Sequence, residues 1–223
     1  MQKLLQGLKR FKKEVFPKME QHFHELGKGQ SPHTLVVTCS DSRLDPALLL
    51  QADPGDIFVV RNAGNLVPSY TSASGGEIAS IEFGIQALGV RNILICGHSH
   101  CGAMNGALAP ESLGSFPAVA QWLDKNREAK TILESNYDGL SNEKALDLMV
   151  QINLLVQVEN LKTHPVIKER IQKKDLNIFA WVYQFEKGKV FGYNPSLGYF
   201  TEIQDDLYPV TSTDSKAGLK PIF

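Results

Sequence analysis

Two short segments of this chain carry residues able to do chemistry together. The first is Cys39-Ser40-Asp41-Ser42-Arg43 and the second is Gly97-His98-Ser99-His100-Cys101-Gly102. If they converge, two thiolates and an imidazole make a three-ligand set for zinc, with a fourth position open to water or substrate. Soft sulfur ligands favour zinc over magnesium or calcium. His98 and His100 compete for the third place, and spacing does not choose between them. A second chemistry also fits, with Cys39 as nucleophile and His98 as base, although it leaves Cys101 without a task. Asp41 and Arg43 form another constellation. A carboxylate two residues from a zinc ligand either binds the metal and closes the open position, or accepts a hydrogen bond from metal-bound hydroxide. A bidentate pair with Arg43 favours the second arrangement. The plainer reading is a surface ion pair of little energetic value.

Convergence requires particular elements. Thr34 to Cys39 is a short apolar, β-branched run, as is Asn92 to Cys96, and both suit buried strands of a parallel sheet. Each reactive segment directly follows such a strand, where open α/β sheets place their ligands. Ile57 to Arg61 is a further strand, preceded by turn chemistry at Asp53-Pro54-Gly55-Asp56. Ser74 with Glu77 reads as a capping box opening a helix to about Leu88, which Gly89 ends. Helical patterns fill 116–126, 142–163 and 165–174, and strands follow over Asn177–Glu186 and Lys189–Tyr193. The alternation predicts an α/β domain, a mainly parallel sheet flanked by helices.

Residues 1–28 read as helical, kinked or split by Pro17. Lys3, Lys9, Arg10, Lys12 and Lys13 read there as the solvated face of a docking helix. The chain thus divides into an N-terminal helical arm (1–32), a zinc-binding α/β body (33–200) and a tail without periodic pattern (201–223). Cys96 lies inside an apolar strand and reads as a small buried hydrophobe. His22, His24, His33 and His164 read as surface or packing residues.

Composition narrows the classes. The chain has 223 residues, 43% hydrophobic and 21% charged, which is ordinary globular usage. Its formal net charge of -1 lacks the basic surplus of a nucleic-acid binder. No run of the roughly 18 apolar residues that a transmembrane helix takes occurs, so no membrane partner is expected. Three cysteines and no recognisable export signal argue against a disulfide framework and for a cytoplasmic protein, with organelle or carboxysome placement left open.

The paired segments resemble the signature of the β-class carbonic anhydrases, in the plant-like and cyanobacterial-like bacterial branch. Phe58-Val59-Val60-Arg61-Asn62-Ala63-Gly64-Asn65 and Gly75-Gly76 to Glu82 fit as well, so the resemblance covers roughly residues 1–200. It implies a carbonate dehydratase interconverting CO2 and bicarbonate. It implies zinc on Cys39, His98 and Cys101, with His100 at a variable position, and Asp41 and Arg43 as the catalytic dyad. It implies that Gln30 reaches a neighbouring active site and binds substrate. Phe58, Ala63 and Phe83 would line the CO2 pocket, with Ala63 smaller than the usual Val and Phe83 in place of Tyr. The Gly102 N–H would donate to substrate. The implied minimal unit is a homodimer gripped by the N-terminal arm, with active sites at its interface, and tetramers or octamers are common.

An allosteric subset of the family closes its site with the aspartate on zinc and binds regulatory bicarbonate with a Trp, an Arg and a Tyr. Arg61 matches the Arg, but Val36 stands where the Trp belongs, so an open site with water on zinc is expected. Zinc lowers the pKa of bound water from about 15.7 to about 7 in a histidine-ligated site. Two thiolates cancel the formal charge of the metal, so activity here is expected to rise into mildly alkaline pH. Two rival functions are a CS2 or COS hydrolase on the same scaffold and a non-catalytic zinc protein sensing bicarbonate.

Overall fold

The computed structural model describes residues 1–72 and 75–204. The chain begins with α1 (Gln2–Arg10), a π-helical turn (Phe11–Val15) and α2 (Phe16–Leu26). Pro17 sits in the first turn of α2, where its missing N–H breaks the regular ladder to the preceding turn, and the wide turn absorbs the break. Neither α1 nor α2 buries a residue, and Leu4, Leu5, Leu8, Phe11, Val15 and Phe16 are exposed. One tie to the body is the His22 Nε2–H, which donates to the Pro54 carbonyl at 2.8 Å.

The body starts with β1 (Thr34–Cys39), α3 (Pro46–Leu50), β2 (Ile57–Asn62), a 3-10 turn (Tyr70–Ser72) and α4 (Gly76–Gln86). Next come β3 (Asn92–His98), α5 (Gly102–Leu108), a 3-10 turn (Pro110–Leu113), α6 (Pro117–Asp124) and α7 (Arg127–Asn136). The described chain closes with α8 (Asn142–Lys162), α9 (Pro165–Gln172), β4 (Asn177–Gln184), β5 (Lys189–Asn194) and β6 (Tyr199–Glu202). The strands form one sheet in the order β2-β1-β3-β4-β5-β6. The first four run parallel and the last two antiparallel. The mainly parallel α/β expectation therefore holds, and β1 and β3 are direct neighbours.

Side chains alternate across the sheet, as a two-residue period demands. Leu35, Val37, Val60, Ile93, Ile95, Ile178, Ala180 and Val182 face the main core, which α4, α8 and α9 cover. The opposite face carries Val36, Leu94 and Cys96, packed by Leu49, Leu50, Ile57, Phe179, Trp181 and Tyr183. In β4 the main-core residues are buried while Phe179, Trp181 and Tyr183 are only half-buried. That face is left partly open within one chain.

Several boundaries differ from expectation. α4 begins with Gly75 at its N-cap, one residue after the expected Ser74; Ser74 itself lies outside the described residues. β3 extends two residues past Cys96, so His98 is the last residue of the strand instead of the first of a loop. β6 crosses the boundary drawn at residue 200 and reaches Glu202. Of the expected tail, residues 205–223 lie outside the described residues. α3, α5 and α7 had no counterpart in the periodicity.

Candidate metal centre and active site

The parallel register of β1 and β3 brings the two reactive segments together, because both strands end at the same edge of the sheet. Cys39 closes β1, His98 closes β3, and Cys101 caps α5 three residues later. Their Cys Sγ and His nitrogen donor atoms lie within 4.8 Å of one another, and all three residues are buried. His100 adopts a left-handed backbone conformation (φ 53°) that turns it outward, with its Nε2 at 3.9 Å from Glu186 Oε1. Geometry therefore groups His98, and not His100, with the two cysteines.

The donor set suits a soft divalent metal. His98 Nδ1–H donates to the Ser99 carbonyl at 2.8 Å, which leaves the Nε2 lone pair free. Nε2 is buried and has no hydrogen-bond partner. A buried polar atom of this kind needs an explanation, and a metal ligand is one. The Cys101 thiol beside Cys39, aided by His98 and the Gly64 N–H and opposed by burial, pulls the Cys39 thiol down to about 4. The neighbouring Cys39 sulfur and burial push Cys101 up. Each sulfur ionises at the other's expense, so two thiolate charges side by side call for a cation to join them. Burial opposes charge on His98, yet the Cys39 sulfur outweighs it and raises the imidazole.

Asp41 stands beside this cluster, its Oδ2 at 3.8 Å from His98 Nε2. Arg43 holds it with two parallel bonds, Nε to Oδ1 at 2.9 Å and Nη2 to Oδ2 at 2.7 Å. The Arg43 backbone N–H adds a third, to Oδ1 at 3.0 Å. The guanidinium bond, opposed by burial, keeps Asp41 well below the usual carboxylate range. Arg43 is itself fixed, by the His100 carbonyl at 3.1 Å and by the Phe185 ring 4.6 Å below its Cζ. Arg61 clamps the same loop: its Nε donates to the Cys39 carbonyl at 3.1 Å, and its Nη2 to the carbonyls of Asp41 at 2.9 Å and Leu44 at 2.8 Å.

The carbonic anhydrase sequence profile matches residues 34–190, a span that contains all of these groups. The solved structure of the β-carbonic anhydrase CcaA is similar with a TM-score of 0.89 and 41% identity, covering 91% of this chain and 99% of that one. The chain belongs to the β-class carbonic anhydrases. A carbonic anhydrase of Synechococcus elongatus is 43% identical over 191 residues, which is 85% of this chain and 70% of that protein. One of two tetrameric β-carbonic anhydrases from Sordaria macrospora is similar with a TM-score of 0.78 and 27% identity, covering 90% of this chain and all (100%) of that one. Among the described residues no helix is long and apolar enough to cross a membrane.

The other family positions divide into two groups. Ala63 and Gly102 lie beside the cluster, one residue from Gly64 and Cys101 respectively; Gly102 is the first residue of α5. Gln30, Phe58 and Phe83 lie elsewhere. Gln30 is exposed in the loop before β1, and β1 itself spans roughly 17 Å from Thr34 to Cys39 at ~3.3 Å per residue. Phe58 pairs with Leu35, four residues below the level of Cys39, and its ring meets that of half-exposed Phe83 at 6.1 Å. These three do not join the cluster of their own chain.

Sequence reasoning left out several residues that shape the site. Ser99 N–H donates to the Tyr183 carbonyl at 3.0 Å, and its hydroxyl donates to Glu186 Oε2 at 2.6 Å, which fixes the carbonyl that orients His98. Phe185 supports Arg43 and packs near the rings of His98 and His100 at 6.1 and 5.8 Å. The signal for this group was faint because, apart from Ser99, its members come from the end of β4 and the turn after it, far along the chain. Cys96 and His164 fall as expected: Cys96 is buried and pushed up to about 12 by burial, and buried His164 donates to the Pro68 carbonyl at 2.9 Å.

Proposed function

We propose that this chain is a zinc-dependent carbonate dehydratase, with Cys39, His98 and Cys101 as the metal ligands and CO2 and bicarbonate as the substrate pair. The observation that carries the reading is the convergence of those three buried donors beside a carboxylate held off by its own arginine. Zinc, when bound, makes a coordinated water acidic enough to attack CO2 near neutral pH. Asp41, ionised by Arg43, accepts the proton-side hydrogen bond of the attacking water and turns its lone pair toward CO2. Arg43 engages both carboxylate oxygens, so with zinc bound Asp41 would serve as a hydrogen-bond acceptor and not as a further ligand. This supports the open arrangement over a closed, non-catalytic centre. Gly102 N–H, at the start of α5 beside the proposed ligand Cys101, donates to bicarbonate on this reading.

The homodimer belongs to the same proposal. Gln30, Phe58 and Phe83 lie too far from their own cluster to serve it, so they serve a neighbouring chain's. The exposed apolar residues of the arm and the half-open sheet face are the surfaces a second copy would cover. Tetramers among relatives fit further assembly of such dimers.

The test is CO2 hydration by stopped flow between pH 6.5 and 9, with zinc quantified. About one zinc per chain and hydration that declines smoothly below pH 8 are expected. Stoichiometric zinc without hydration at any pH overturns the catalytic reading. Hydration that stops abruptly below pH 8 overturns the open arrangement.

A further inference from the structure

Three amide side chains are buried where α7 begins and along α8: Asn126, Asn153 and Gln157, each about 1% exposed. α8 is otherwise apolar on this side, contributing Met149, Val150, Leu154 and Val156 to the core. Burying an amide is unfavourable unless it is fully hydrogen-bonded. These three are bonded to one another and to one target. Gln157 Nε2 donates to Asn126 Oδ1 and Asn153 Oδ1, both at 2.9 Å. Gln157 Oε1 accepts the Val67 N–H at 2.8 Å, and Asn153 Nδ2 donates to the Gly64 carbonyl at 3.1 Å. Trp122 Nε1–H adds a bond to the Ala63 carbonyl at 2.8 Å.

The target is the turn after β2. Gly64 and Asn65 both have positive φ, 82° and 51°, and Asn62 closes the turn by bonding both polar groups of the Leu66 backbone. The φ of 82° at Gly64 strains any residue with a side chain, and a Cβ there would also crowd Ala103 Cβ at 3.2 Å and Met104 Cε at 2.8 Å. In this conformation the Gly64 N–H points at Cys39 Sγ, with N to S at 3.4 Å.

We infer that Asn153, Gln157 and Trp122 are positioning residues for the Cys39 thiolate: they clamp the Ala63–Val67 turn so that the Gly64 N–H stays bonded to the sulfur. The inference rests on the zinc reading above. An N–H bond withdraws electron density from a thiolate, and partners of this kind orient a ligand and tune the metal it holds. No ligand is touched by the amides themselves, since their action passes through the Gly64 backbone.

The test uses the full-length protein and two readouts that do not depend on turnover. One is zinc affinity by chelator competition. The other is the thiolate-to-metal charge-transfer band of the cobalt(II)-substituted protein. Asn153→Ala should weaken zinc binding about 10- to 100-fold and move the band to lower energy, as a more electron-rich sulfur requires. Trp122→Phe is the conservative second variant, which keeps the packing and removes one anchor; it should shift both readouts in the same direction by less. Leu161→Ala, a fully buried position near the end of α8, is the control for lost stability alone. It should leave the band in place. Folded Asn153→Ala and Trp122→Phe with wild-type zinc affinity and band energy overturn the inference, as does an equal shift in Leu161→Ala. Wild-type protein that takes up no zinc overturns the metal reading itself.

Discussion

Arg43 closes on Asp41 with both arms of its guanidinium, Nε to Oδ1 at 2.9 Å and Nη2 to Oδ2 at 2.7 Å, while that same Oδ2 lies 3.8 Å from His98 Nε2. On the proposed zinc site a side-chain rotation would bring the carboxylate to the metal, and the arginine fork opposes that rotation. Arg43→Met removes the fork and keeps the apolar stem over Phe185. Asp41 then turns to the metal as a fourth ligand. Zinc content should stay near wild type while CO2 hydration falls about 100-fold, within the range that positioned acid–base groups contribute. X-ray absorption at the zinc edge should show a water oxygen exchanged for a carboxylate oxygen, seen as added outer-shell carbon scattering that Asp41→Ala in the same background removes. Undiminished turnover in Arg43→Met would assign the pair no part in gating.

Arg61 is committed to backbone carbonyls on the Cys39–Leu44 loop, at three distances between 2.8 and 3.1 Å. A guanidinium spent in this way is not offering itself to a regulatory anion, and Val36 supplies no indole beside it. Bicarbonate should accordingly inhibit hydration along a simple hyperbola, and a sigmoidal curve would show Arg61 released to bind it. Arg61→Met should lower unfolding free energy by about 1–3 kcal/mol, the cost of carbonyls left without a partner. Urea denaturation of the zinc-loaded protein measures that loss, and no loss would make the clamp ornamental.

The parts legible in the sequence share a physical basis. Thr34–Cys39 and Asn92–Cys96 are short, β-branched and bounded by polar residues, so both strands and their shared edge followed, and with them the meeting of Cys39, His98 and Cys101. β6 and α5 were illegible for opposite reasons. Tyr199–Glu202 has only four residues and is held by pairing with β5, while Gly102–Leu108 contains two glycines and is helical because it packs on α6 and α8. The clamp on the Gly64 turn left a readable trace: Asn153 and Gln157 are polar residues one helical turn apart in an apolar stretch. What no periodicity conveys is where Phe58 and Phe83 lie: Phe58 pairs with Leu35 near the start of β1, away from Cys39 at its end, and Phe83 packs against it from α4.

Cys96 gives a pH-dependent prediction. Burial pushes its thiol up to about 12 in the folded chain, against roughly 8.5 when unfolded. Between those values the native state holds a proton that the unfolded state has lost, so folding stability falls as pH rises, by about 1.4 kcal/mol per pH unit from this group. Below about pH 8.5 both states are protonated and the group contributes nothing. Cys96→Ala removes this alkaline decline. The stability of wild type relative to the variant should therefore shrink steadily from pH 9 to 11 in chemical denaturation. A constant offset across that range would mean that Cys96 ionises in the folded protein as it does in the unfolded one.

Leu4, Leu5, Leu8, Phe11, Val15 and Phe16 are exposed on α1, the turn that follows it and the first residue of α2, and neither α1 nor α2 buries a residue in its own chain. Burying one such side chain fully is worth about 1.5–3 kcal/mol, so leaving six in water is unfavourable unless a second surface covers them. Leu8→Glu combined with Phe11→Glu, in the full-length chain, should shift the protein from dimer toward monomer in sedimentation equilibrium. Zinc should remain, since all three ligands come from one chain. If the proposed dimer places Gln30, Phe58 and Phe83 at a neighbouring site, hydration should fall more than about tenfold, an effect that needs only ~1.4 kcal/mol of lost transition-state stabilisation. A double variant that stays dimeric with full activity would show that the arm is not what joins the two copies. One that becomes monomeric with full activity would place the whole active site within a single chain.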